Sequence, residues 1–213
     1  MSRQRSFPPE RAAILAWSGA AAALAVAGAA LAHGWSEEGV RTVVRASARL
    51  SVTCFCLAFG ASALRALWPS PAADWMLRNR RQLGLSFAGF HFLHLGALVA
   101  LALSFPSPFL ENLQPATLAG GGLAYLFIAV QAATSNDASV RWLGRRRWTL
   151  LHTVGSYIIW LIFAQSYVPR AIASPAYLPF GVLVLGVVAL RAARAVKLRA
   201  AAGSRATRDA GAA

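Results

Sequence analysis

Six apolar runs dominate the chain: residues 12–32, 46–67, 83–104, 116–134, 149–168 and 176–195. An α-helix rises about 1.5 Å per residue, so about 20 predominantly apolar residues span the hydrocarbon core of a bilayer. The pattern predicts an all-α fold, an integral membrane bundle of six transmembrane helices. The third, fourth and fifth runs are the cleanest. The second carries Arg49 and Arg65 near its ends, and the sixth ends on Arg191 and Arg194, where long side chains can snorkel to the interface. Residues 1–11 read as a cytoplasmic N-terminal tail, 12–195 as the membrane domain, and 196–213, rich in Ala, Gly, Arg and Ser without apolar periodicity, as a disordered basic tail. Arg3, Arg5 and Arg11 before the first run, with Ala30-Leu31-Ala32 at its end, mimic a signal peptide. A signal's apolar region spans about 7–15 residues, and this run is longer, which favours a retained helix.

Charge then orients the bundle. Only 13% of the 213 residues are charged, against about 25% in soluble domains, and the net charge is +14. Basic residues collect in the N-terminal tail, in Arg65, Arg78, Arg80 and Arg81, in Arg141 and Arg145–Arg147, and from Arg191 to Arg208. In a six-helix chain these four segments share one side, and the positive-inside rule makes it the cytoplasmic side, with both termini there. The opposite side has Arg170, a cluster around Arg41, and a loop at 105–115 with no Lys or Arg. The lipid bilayer is the partner this implies, with anionic headgroups facing the arginines. No soluble stretch is long enough for a nucleic-acid-binding domain. Trp35, Trp68, Trp75, Trp142 and Trp148 flank the runs as an interfacial belt would.

Candidate chemistry is confined to a few polar positions. Cys54 and Cys56 are two apart on a helix, so they face different ways, and small apolar packing residues are the better reading than an iron–sulfur cluster or zinc site. Gly120–Gly122 open an apolar run without a preceding strand, which suits close helix packing better than phosphate binding. Ionisable groups inside a membrane are rare and mark function by default. His91 and His94 lie in the third run and His152 in the fifth, while His33 ends the first. The third and fifth helices run in the same direction, so a histidine from each could approach a haem iron from opposite sides. Counting from the run starts puts His152 shallowest, then His91, then His94; uncertainty in helix starts leaves the choice between His91 and His94 open. The bland alternative is that each imidazole bonds a neighbouring helix. No Asp or Glu accompanies them inside a run, which disfavours a bare metal ion or a proton pump. Arg41, Arg45 and Arg49 form a stripe, with Glu37 and Glu38 at pairing distance from Arg41. The stripe reads as a partly paired helix end, or, through Arg45 and Arg49, as an anion site for haem propionates or a quinone-like headgroup.

Two stretches carry a resemblance. RRQLGLSFAGFHFLHLGALVA, residues 80–100, and TSNDASVRWLGRRRWTLLHTVGSYIIWLIFAQSYVPR, residues 134–170, resemble the ferric reductase-like transmembrane family, which includes the haem-binding membrane subunits of methionine sulfoxide reductase systems. The shared pattern is a paired arginine, Leu-Gly and a histidine-bearing helix, then a Thr-Ser turn, Arg-x-Leu-Gly, basic residues and Leu-His. It covers about two-thirds of the chain. The resemblance implies a six-helix bundle holding b-type haem in a bacterial inner membrane, as an electron-transfer subunit of an oxidoreductase. His94 matches the third-helix ligand and His152 the first fifth-helix ligand, with His91 as a substitute. The family often places a second histidine where this chain has Gln165, so the resemblance implies one haem b. With no flavin or nicotinamide domain in the sequence, quinol or a partner flavoprotein would supply electrons. The alternatives are a haem-free membrane scaffold or partner subunit of the same fold, and a small transporter.

Overall fold

The computed structural model of the protein describes residues 9–107, 111 and 113–211, and helices make up nearly all of them. In chain order they are α1 (Pro9–His33), α2 (Glu37–Leu67), α3 (Pro71–Arg78), α4 (Arg80–Ser104), α5 (Pro115–Ala133), α6 (Asp137–Leu143), α7 (Arg145–Ala173) and α8 (Leu178–Gly211), with a 3-10 turn at Pro175–Tyr177 before α8. The basic positions Arg3 and Arg5 of the predicted N-terminal tail lie outside the described residues, as does part of the 105–115 loop. Five helical segments are long and apolar enough to cross a membrane: Ala12–His33, Glu37–Leu67, Arg80–Ser104, Pro115–Ala133 and Pro175–Ala202. Six were predicted. The remaining long helix, α7, has 29 residues but carries Thr149, His152, Thr153, Ser156, Gln165 and Ser166, which lower its mean hydropathy.

Local chemistry sets the ends. Ser36 caps α2, its Oγ accepting from Gly39 N at 3.2 Å, and Glu37 and Glu38 fill the first turn, where the helix dipole favours anions. This cap starts α2 nine residues before the apolar run does, because charged Arg41, Arg45 and Arg49 are compatible with helix but not with an apolar pattern. Ser70 and Pro71 open α3, and Asn136 opens α6. Both short helices escaped the apolar pattern, being too short to span. Between α6 and α7, Gly144 has φ +75, a left-handed conformation that glycine adopts without steric penalty. Residues 196–211 continue α8 as helix, where composition predicted a disordered tail; Ala and Arg are strong helix formers.

The core is a column around α2. Phe55, Phe59, Phe87, Phe163 and Tyr167 are buried, and Phe55 contacts Phe59, Phe87 and Phe163 at ring-centroid distances of 5.3, 5.2 and 5.3 Å. Val52, Cys56, Ala124, Ile128, Ile159 and Val184 fill the spaces between them. Cys56 is buried and Cys54 half-buried, both as free thiols. α2 packs against α4 most extensively, and also against α1, α3 and α8, while α7 packs against α5 and α8. At Gly60 an added Cβ would come within 2.9 Å of Val187 Cγ2, so the absent side chain lets α8 close on α2. Large apolar side chains such as Trp17, Leu31, Leu103, Leu126 and Ile172 point outward, as they do where lipid is the solvent.

Candidate functional site

The helix ends sort into two sets. The C-terminal ends of α2 and α5 and the middle of α8 lie beside the starts of α4 and α7, gathering Arg78, Arg80, Arg81, Arg145–Arg147, Arg191 and Arg194 at one end of the bundle, termed here the basic end. Near it, α2, α4, α5 and α7 enclose a cavity of about 540 Å³. His152 is part of its wall, with Phe55, Phe59, Phe87 and Ile128 supplying an apolar lining and Ala58, Gly84 and Ala88 leaving room. Arg78, Arg80 and Arg81 stand at the same cavity. Ligand cavities of about 300–1,000 Å³, mostly apolar with a few polar groups, are the usual form of a cofactor site.

His152 is held from two sides. Its Nε2 is 2.9 Å from Thr134 Oγ1, and its ring stacks on Trp148 with centroids 4.1 Å apart. Trp148 Nε1 donates to Thr134 O at 2.8 Å. This approach of α7 to α5 depends on Gly155: an added Cβ would collide with Gln131 Nε2 and lie 2.8 Å from Phe127 Cδ1. Two amides facing the cavity are incompletely bonded. Gln82 is 2% exposed with Oε1 unpartnered, and Gln131 has a buried Nε2 without a partner. An unsatisfied buried polar atom costs about 1–3 kcal/mol, so a ligand or water meeting these amides would stabilise the site.

His91 and His94 lie elsewhere. Their rings are 5.4 Å apart. His91 is 9% exposed, its Nδ1 2.9 Å from Ser51 Oγ, its ring against Tyr125 at 4.8 Å and Phe163 at 5.6 Å. Tyr125 OH donates to the His91 carbonyl at 3.2 Å. His94 Nδ1 is 3.0 Å from Val44 O, so it donates there and leaves Nε2 free, the arrangement of a metal-ligating imidazole. Neither residue lines the cavity.

The expected pairing of His94 with His152 across one gap is not what the structure contains. On α5, Thr134 marks the level of His152 and Tyr125 that of His91. They are nine residues apart, or about 13 Å at about 1.5 Å per residue, and His94 lies a further turn away, about 18 Å from His152 along the bundle. A metal–imidazole bond is about 2 Å long, so two ligands of one iron must sit about 4 Å apart. The offset depends on contacts with α5 and α2, which no spacing along a single helix contains. The Gln82 amide on α4 lines the cavity with His152, and Gln165 on α7 is exposed.

Arg45 and Arg49 lie toward the opposite end. Arg45 Nη2 contacts Glu38 Oε1 at 2.5 Å and Thr42 Oγ1 at 2.9 Å, while Arg41 pairs with Glu37 at 2.7 Å. Arg49 sits over Tyr177 and Phe180 at 5.3 and 5.7 Å, with its buried Nε unpartnered. Arg45 thus follows the paired reading, whereas Arg49 keeps donor capacity.

The residues at the cavity suit a haem in kind: one imidazole, an apolar wall for a porphyrin face, arginines for propionates, and two amides with spare hydrogen-bonding capacity. No protein-family model matches the chain. It is 32% identical over 113 residues to the protein-methionine-sulfoxide reductase heme-binding subunit MsrQ of Ralstonia nicotianae, a match covering 52% of this chain and 50% of that protein. The chain is related to MsrQ. The match spans about half the length of that curated relative. The five helices long and apolar enough to cross a membrane make this a multi-pass membrane protein. Sequence reasoning missed Gln82, Gln131, Thr134 and Trp148 as parts of the site. Gln131 was findable as an amide within an apolar run, and Gln82 as the residue following the arginine pair, had all polar membrane positions been weighed as the histidines were.

Proposed function

We propose that the chain is a membrane-embedded b-type haem-binding electron-transfer protein of the ferric reductase-like family, built on six membrane helices with α7 as the additional span. The observation that carries this reading is the His152 cavity, in a chain 32% identical over 113 residues to MsrQ. His152 would hold the iron, with Arg78, Arg80 and Arg81 meeting the propionates and Gln82 or Gln131 contributing hydrogen bonds. His94, with His91 beside it, is a candidate ligand at a separate level, where Arg49 could take an anionic group. When bound, haem supplies a one-electron carrier. The protein's part is to anchor the group, keep water from it and hold the imidazole in one orientation. The basic end would face the cytoplasm of a bacterial inner membrane with both termini on that side. Electrons would come from quinol or a partner flavoprotein and pass to the catalytic subunit of an oxidoreductase.

The test is an absorbance spectrum of the full chain purified in detergent, oxidised and reduced. A Soret band that His152→Ala abolishes is the expected result. A chain that stays colourless after haem supplementation would overturn the proposal. One observation favours a second reading, a haem-free scaffold or partner subunit: all three imidazoles already contact hydrogen-bonding groups on neighbouring helices. That reading predicts normal membrane insertion without a Soret band.

A further inference from the structure

The basic end carries a second set of cations, outside the cavity wall on the side of α8. Arg191 Nη1 donates to Phe59 O at 2.9 Å and its Nε to Tyr157 OH at 3.1 Å, with the guanidinium 4.0 Å from the Phe59 ring centroid. Arg80 Nε donates to the adjacent carbonyl, Ala58 O, at 3.0 Å. One turn beyond Arg191, Arg194 has a buried Nε without a partner, and Lys197 Nζ reaches Ala66 O at 2.9 Å. The charges of both Arg191 and Arg194 act on Arg80. The ion pairs among the described residues use Arg41, Arg45, Arg65 and Arg81; Arg80, Arg191, Arg194 and Lys197 are in none of them.

Like charges held together by carbonyls repel one another, because a carbonyl dipole satisfies a donor without neutralising it. The two adjacent carbonyls of α2 fix Arg80 and Arg191 in place, so the cluster is preorganised. A single anion between α2, α4 and α8 would relieve the repulsion and meet the free Arg194 Nε. The surroundings select the kind of anion. Val196 and Leu198 are 65% and 53% exposed on the same helix, and Trp68 is 60% exposed at the end of α2, an apolar and aromatic rim of the kind found at headgroup level. Basic pockets between membrane helices on the cytoplasmic side are recurrent sites for anionic lipid headgroups.

We propose that Arg191, Arg194 and Lys197, with Arg80 behind them, form a site for the phosphodiester of an anionic phospholipid whose acyl chains lie along α8. Arg80 also borders the cavity, whereas Arg191, Arg194 and Lys197 do not, so the lipid site rests on those three. It is tested by native mass spectrometry of the delipidated full chain, titrated separately with phosphatidylglycerol, phosphatidylcholine and inorganic phosphate. The expected result is at least about tenfold preference for phosphatidylglycerol over phosphatidylcholine, lost on Arg194→Gln and weakened on Lys197→Gln, with the helix content of both variants unchanged by circular dichroism. Equal retention of the two lipids, or full preference in Arg194→Gln, would overturn the proposal. Displacement of the bound lipid by millimolar inorganic phosphate would also overturn it, assigning the cluster to a free phosphate. A Soret spectrum on the same samples reads the haem proposal separately.

Discussion

His152 and His91 are both imidazoles inside one helical bundle, yet the packing around them differs. His91 is enclosed by Phe87, Tyr125 and Phe163, with its Nδ1 against Ser51. His152 has one firm partner in Thr134 and one stacking ring in Trp148, and otherwise borders a cavity with incompletely bonded Gln82 and Gln131. A filled and hydrogen-bonded environment stabilises the bundle itself. A cavity with spare polar atoms is stabilised by whatever enters it. The difference is between a histidine enclosed by side chains and one that borders open space, although both are the same residue in an apolar run.

Four measurements break or sharpen that contrast. His152→Ala should cut haem retention, read as Soret absorbance per protein, by at least about tenfold, since the axial imidazole is the group's anchor; His91→Ala should retain most of the haem. The opposite ranking would reverse the assignment of the two levels. Phe163→Ala, next to His91 in the filled level, should lower unfolding free energy by about 3–5 kcal/mol in a denaturing-detergent titration. A loss under about 1 kcal/mol would mean that level is not tightly packed. Gly155→Ala drives a Cβ into Gln131 and Phe127, so it should destabilise the chain by about 1–3 kcal/mol and narrow the cavity. Unchanged stability together with unchanged haem uptake would show that α5 and α7 do not need that approach. The smallest effect is expected from Ser51→Ala, about 0.6 kcal/mol in the same titration, the average for a hydrogen bond between membrane helices. A much larger loss would give the Ser51–His91 bond a role beyond packing.

Much of this molecule is written locally. The apolar runs and the placement of arginines announced a helical membrane protein, and Ser36, Ser70 and Asn136 mark where helices begin. The resemblance carried by residues 80–100 and 134–170 pointed to the relationship with a haem-binding membrane subunit. α7 is the exception among the long helices, since its polar side chains, His152 and Ser156 among them, dilute its apolar signal.

What the sequence determined by itself was which segments are helical and apolar, because that depends on each segment's own residues and on the need to satisfy the backbone within it. It also supplied the histidines as candidates. Tertiary structure alone decided that His152 borders a cavity, that a buried His91 sits beside a half-buried His94, and that the two levels lie far apart. Those outcomes depend on how helices slide and rotate against one another, set here by close approaches at Gly60 and Gly155 and by contacts between residues distant in the chain. Spacing along a helix fixes a residue's height on that helix; only packing fixes what stands opposite it.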